Sequence, residues 1–146
     1  MLTLQTSMQF VATLACGIFA GAAIYINAVE HPARMSCGTI VAATEWASSY
    51  KRATLMQAPL AVFGFLFALI AWFAGAGLWW LIGGVLLGLV VPFTILVIMP
   101  VNKRLLASNL YKGSEEARQL LEKWNRLHAV RSVLGALALV IFLLNF

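Results

Sequence analysis

The chain has 146 residues, of which 62% are hydrophobic and only 10% charged, with a net charge of +5 and a mean hydropathy of +0.92. A soluble domain of this length has too little interior to hide so much apolar surface, so lipid must solvate part of it, and there is room for one membrane domain only. The basic balance, five Glu and no Asp, does not signal nucleic acid: Lys and Arg gather in two short stretches between apolar segments, where the positive-inside bias places them.

The first apolar segment is expected over residues 4–28, long enough to cross a hydrocarbon core of about 30 Å. Met1 to Gln9 carry no Lys or Arg, and the apolar run continues past Ile26, so the segment reads as a retained membrane helix and not a signal peptide. Cys16 lies within it and Cys37 after it; with no CxxC and no clustered spacing they read as two unpaired thiols. Pro32 fits a helix that ends near His31, because proline disfavours α geometry at the residue before it.

A polar loop is expected from Ala33 to about Thr54, with a short helix around Trp46 and Tyr50 lying flat in the interface. The second segment then covers residues 55–73, with Gln57 and Pro59 near its start. Ala74-Gly75-Ala76-Gly77 is short enough to demand an antiparallel helical hairpin, and Trp79 and Trp80 after it suit an aromatic belt. The third segment covers 78–99, with Pro92 as an expected kink. The second charged loop leads through Ser114, Glu115 and Glu116, a helix cap with carboxylates on the dipole, into a helix over 114–145.

The predicted fold is therefore all-α: an integral membrane four-helix up-down bundle, with a short interfacial helix in loop 1–2 and a helical loop 3–4 that runs into helix 4. The charged loops are expected in the cytoplasm and both termini outside. Gly17 with Gly21 and Gly84 with Gly88 form small-xxx-small pairs suited to close helix packing, within one chain or in a homo-oligomer.

Up-down topology brings the polar residues to one end. Tyr25, Asn27, Glu30 and His31 close the first segment; Arg52 and Gln57 open the second; Asn102 closes the third; Trp124, Asn125, His128, Arg131 and Ser132 open the fourth. Ionisable groups beside hydrocarbon are costly unless paired, hydrated or used, and the opposite end is nearly free of charge. Both histidines of the chain lie here. Histidine moves protons near neutral pH, a neighbouring Glu orients it, and Arg holds an oxyanion. Two His with a Glu also suit a metal, and two His from opposed helices suit a non-covalent haem, since there is no CxxCH. A plainer alternative is that these groups only face lipid headgroups, with Glu30 paired to Arg131 or Arg52.

Glu30-His31-Pro32, Pro100-Val101-Asn102, and above all Trp124-Asn125-Arg126-Leu127-His128-Ala129-Val130-Arg131-Ser132 resemble the DUF1772 family of small four-helix membrane proteins. That family includes anthrone oxygenase-like proteins, and the resemblance covers the whole chain in length, span count and motif order. It implies an oxidoreductase that oxidises an activated aromatic or enolisable lipophilic substrate with O2, as anthrone becomes anthraquinone, with no added cofactor. His31, Asn102, Trp124, Asn125, His128 and Arg131 are the residues it carries over as site residues.

The expected catalytic groups are thus His128, His31, Glu30 and Arg131. Asn102, Trp124, Asn125, Gln57, Arg52, Tyr25 and Asn27 are the expected substrate-binding groups, and Trp124 or Trp46 is expected to stack on the substrate. No metal is expected; haem, iron or copper on His31 and His128 is the alternative. A lipophilic small molecule and the lipid bilayer are the expected partners. A binding or carrier protein for an anionic ligand or lipid is the rival from another class.

Overall fold

The structure is a computed structural model describing residues 3–146; Met1 and Leu2, the start of the uncharged N-terminal stretch, lie outside the described residues. Four helices are long and apolar enough to cross a membrane: α1 (Leu4–Ser36), α2 (Thr39–Phe73), α3 (Leu78–Leu105) and α4 (Glu115–Leu144). Each packs on its sequence neighbours and α4 closes the ring against α1, so the chain is an all-α four-helix up-down bundle. The Ser114 hydroxyl caps α4 by accepting from the Ala117 N–H at 3.1 Å, and Glu115 and Glu116 occupy its first turn.

The charged end departs from the expected outline. α1 does not stop near His31 but continues to Ser36, and only Cys37 and Gly38 separate it from α2. Gly38 makes that reversal with φ +89°, a left-handed conformation that side chains disfavour. The expected loop over 33–54 is mostly helix, and the interfacial segment around Trp46 is the first part of α2. At about 1.5 Å per residue the 35 residues of α2 exceed a hydrocarbon core by about 20 Å. α3 likewise runs past Met99 to Leu105, and turns, not helix, occupy 106–114.

Two π-helical segments explain why proline failed as a stop. Ile26–Glu30 lies just ahead of His31-Pro32, and Thr94–Ile98 just ahead of Met99-Pro100. In each, the following N–H reaches five residues back, His31 to Ile26 and Met99 to Thr94. The widened turn relieves the usual clash of a proline ring with the preceding carbonyls, so the helix passes through.

The uncharged half has a core built around Phe19, Trp80, Leu87 and Phe142. Trp80, expected in an aromatic belt, is buried: its ring stacks on Phe142 with centroids 4.7 Å apart, and its Nε1 donates to the Asn145 carbonyl at 3.1 Å. Trp79 is exposed as expected. The glycines divide differently from the expected pairs. A Cβ on Gly83 would lie 2.6 Å from the Phe142 ring and on Gly64 2.5 Å from Leu87, whereas Gly21 meets nothing within 4 Å. Gly84 and Gly88 do pack closely, at 3.0 Å from Ala68 and from Phe65 on α2. Gly83→Val should therefore cost roughly 1–3 kcal/mol through displacement of the Phe142 ring. Gly21→Val should be close to neutral. Unfolding midpoints of the two variants in the same detergent check the contrast, and equal midpoints would remove the packing argument.

Candidate functional site

A second core at the charged end, with Ile26, Trp46, Ile98, Leu121 and Trp124 among its members, surrounds the polar residues. Within it lies a cavity of about 20 Å³ whose walls include Arg34, Trp46, Gln57, Asn102, Trp124, His128 and Arg131. All four helices contribute. Trp46, Gln57, Asn102 and His128 are each 2% exposed or less.

Asn27 organises one wall. Its Nδ2 donates to the backbone carbonyl of Asn125 at 2.9 Å and to that residue's Oδ1 at 2.7 Å. A backbone carbonyl can only accept, so the Asn27 amide orientation is settled and its Oδ1 faces the other way. That oxygen accepts from the Ser132 hydroxyl at 2.5 Å and lies 2.8 Å from His128 Nδ1. An acceptor opposite Nδ1 requires the proton there, so neutral His128 is the Nδ1–H tautomer and Nε2 keeps its lone pair. The sequence pattern placed Asn125, His128 and Ser132 on one face of α4; the π segment of α1 supplies the Asn27 that ties them together.

Arg131 and Gln57 form the opposite wall. Arg131 Nη2 donates to Gln57 Oε1 at 2.8 Å, and its guanidinium carbon stands 5.6 Å from the Phe19 ring centre. The remaining hydrogen-bonding groups of the cavity are mostly unused donors. Trp46 Nε1, Gln57 Nε2, Arg131 Nε and Arg34 Nη1 are buried with no partner among the described residues, as are both polar atoms of the Asn102 amide. An unpaired buried polar atom typically costs about 1–3 kcal/mol. Several donors around one small cavity therefore define a place for an acceptor-rich, negatively charged group.

Glu30 takes a different partner from those expected, and Arg34 is that partner. Glu30 does not meet His128, Arg131 or Arg52; its carboxylate pairs with Arg34 one turn on, and Arg34 Nε lies 2.6 Å from Glu45 of α2. This ion triad clamps the extended ends of α1 and α2 together at the cavity rim. His31 is buried against Trp124, ring centres 5.5 Å apart, outside the cavity. Asn125 works through Asn27. Arg52 is exposed and Tyr25 is 54% exposed, so neither reaches the cavity. No third metal-binding side chain joins the two histidines among the described residues.

One face of each tryptophan is taken by a neighbouring ring. Trp46 stacks on Tyr50 at 5.1 Å and meets Trp124 edge-on at 5.8 Å, while Trp124 lies on His128 at 4.7 Å. Both tryptophans line the cavity, and Trp46 Nε1 is buried without a partner among the described residues. Tyr50 and Arg34 also line the cavity and were not among the expected residues. Arg34 follows His31 by three positions, a helical spacing that becomes informative only if the helix survives Pro32.

A family model described as anthrone oxygenase matches residues 46–141, most of the chain and the cavity residues on α2, α3 and α4, but not Ile26, Glu30 and Arg34 on α1. An anthrone oxygenase of Claviceps purpurea (strain 20.1) is 28% identical over 142 residues, covering 85% of this chain and 80% of that protein. No solved structure matches. With the family model matching most of α2 and nearly all of the chain after it, the chain belongs to the anthrone oxygenase family.

Proposed function

We propose that this protein is a membrane oxygenase that binds an acidic, lipophilic aromatic or enolisable substrate as its anion and oxidises it with O2. The observation that carries the reading is the ring of unpaired buried donors beside a histidine with a free Nε2. His128 Nε2 removes the proton of the substrate's acidic O–H, an enol or phenol oxygen, which leaves the delocalised carbanion. Arg131 Nε, Trp46 Nε1 and Gln57 Nε2 then hold the developing oxygen anion, in surroundings too dry to screen it.

The resulting carbanion transfers electrons to O2, which partitions into lipid, and a C–O bond forms. The imidazolium returns its proton to give a hydroperoxide. Removal of the second C–H with cleavage of the O–O bond leaves a ketone and water. One CH2 and one O2 thus become one C=O and one H2O. The family resemblance supports a reaction that needs no further redox partner, and the positive-inside bias supports a site near the cytoplasmic leaflet.

Oxygen uptake by the protein in nanodiscs, with anthrone as substrate, tests this. His128→Ala should lower the rate about 10²–10⁴-fold, the usual contribution of a general base. Unchanged uptake by the variant would sink the mechanism. Tight binding of the anthrone anion without uptake would favour the ligand-binding reading of the same donors.

A further inference from the structure

The donor-lined cavity, about 20 Å³, has room for little more than one water-sized group. An aromatic ring does not fit in it. A second cavity of about 160 Å³ lies between α2 and α3, and the two share Tyr50, Thr54, Gln57 and Arg131. Its other walls are Ala58, Ala61, Val90, Val91, Ile95 and Met99, together with Thr94. The wall on α3 includes Thr94 and Ile95 from the π segment, and the Tyr50 hydroxyl reaches Met99 Sδ at 3.9 Å across the seam. Ala58 and Ile95 are exposed on the outside of the bundle, which faces lipid.

We propose that this outer chamber binds the apolar body of the substrate, admitted sideways from the bilayer through the α2–α3 seam. Only an oxygen-bearing tip passes Arg131 and Gln57 into the inner cavity. The two chambers sort one molecule by polarity: the outer contributes apolar burial, the inner supplies donors. The ligand is therefore a lipophile with an oxygen function on its edge, and that oxygen enters first. This rests on the reading that the inner cavity takes the substrate's oxyanion.

The test fills the chamber from its lipid side. Ala58→Phe and Ile95→Phe lie on the exposed rim; Leu14→Phe, in the apolar groove between α1 and α4, is the control. The probe is 9,10-anthraquinone, titrated into protein in nanodiscs, with quenching of tryptophan emission as the binding signal. Both rim variants should raise the dissociation constant at least about tenfold, since a filled chamber leaves no room for the ring system. Leu14→Phe should bind as wild type does. Wild-type affinity in both rim variants, with monodisperse protein, overturns the portal, as does a wild-type protein that does not bind the probe. Binding that the rim variants weaken, together with no oxygen uptake from anthrone, would sustain the portal and overturn the oxygenase reading.

Discussion

Replacing Asn27 with leucine should lower turnover by about 10²–10⁴-fold while leaving His128 in the chain, because the imidazole loses the acceptor that fixes its tautomer. In the native protein Asn27 Oδ1 accepts from Ser132 and from His128 Nδ1–H, and the donation of its own amide to the Asn125 carbonyl keeps that oxygen in place. Without it the ring is free to protonate at Nε2, and the lone pair that would take the substrate proton is lost. Nitrogen-15 NMR of the His128 ring separates this effect from simple damage to the fold. The wild type should show the Nδ1–H form and Asn27→Leu a mixture or the Nε2–H form. A wild-type ring protonated at Nε2 would refute the assignment outright. Ser132→Ala removes only a companion hydrogen bond and should cost far less.

Arg131→Met should reduce kcat/KM by about 10²–10³-fold, the usual cost of losing a donor to an oxyanion in a dry site. The loss has two parts. The anion forfeits its cation, and Gln57 Oε1 forfeits the donor 2.8 Å away that turns its amide toward the cavity. Lysine should not restore the rate, since an ammonium cannot bond Gln57 and present a second, rigidly placed N–H at once. Trp46→Phe keeps the ring against Tyr50 and removes one N–H only, so it should cost about tenfold. The order Arg131 before Trp46 is the result to check by oxygen uptake. Full recovery with Arg131→Lys would mean that charge alone matters, and the directional role of the guanidinium would be wrong.

Much of the site was legible in α4. Helical spacing alone puts Asn125, His128 and Ser132 on one face, and burial confirms that His128 and Ser132 face inward. Asn102 and Gln57 stood out as amides at the ends of apolar runs, and both are buried in the cavity wall. The charged end of the α1–α2 hairpin was harder. Pro32 and a run of polar residues imitate a helix end followed by a loop. On that pattern Trp46 belongs to the interface and Arg34 to a loop. A π turn ahead of the proline, a feature with no strong sequence signature, keeps the helix intact and brings both residues to the cavity.

Glu30 shows the same limit on a smaller scale. Its position suggested a partner for histidine, but a continuous helix places Arg34 one turn away, and the nearer cation wins the carboxylate. Depth along the bundle suggests Tyr25 and Arg52, yet depth does not fix azimuth, and both side chains are exposed.

Four apolar segments that make a membrane bundle, with the polar residues gathered at one end, are legible from composition and spacing alone. Those properties depend on composition and on segment length against bilayer thickness, which are additive along the chain. The packing of the helices sets which polar groups meet, how Asn27 orients the His128 proton, and that unpaired donors surround a cavity of about 20 Å³. These depend on helix rotation and on where two π turns shift the register, and a fraction of a turn is enough to carry a side chain from the cavity to the lipid.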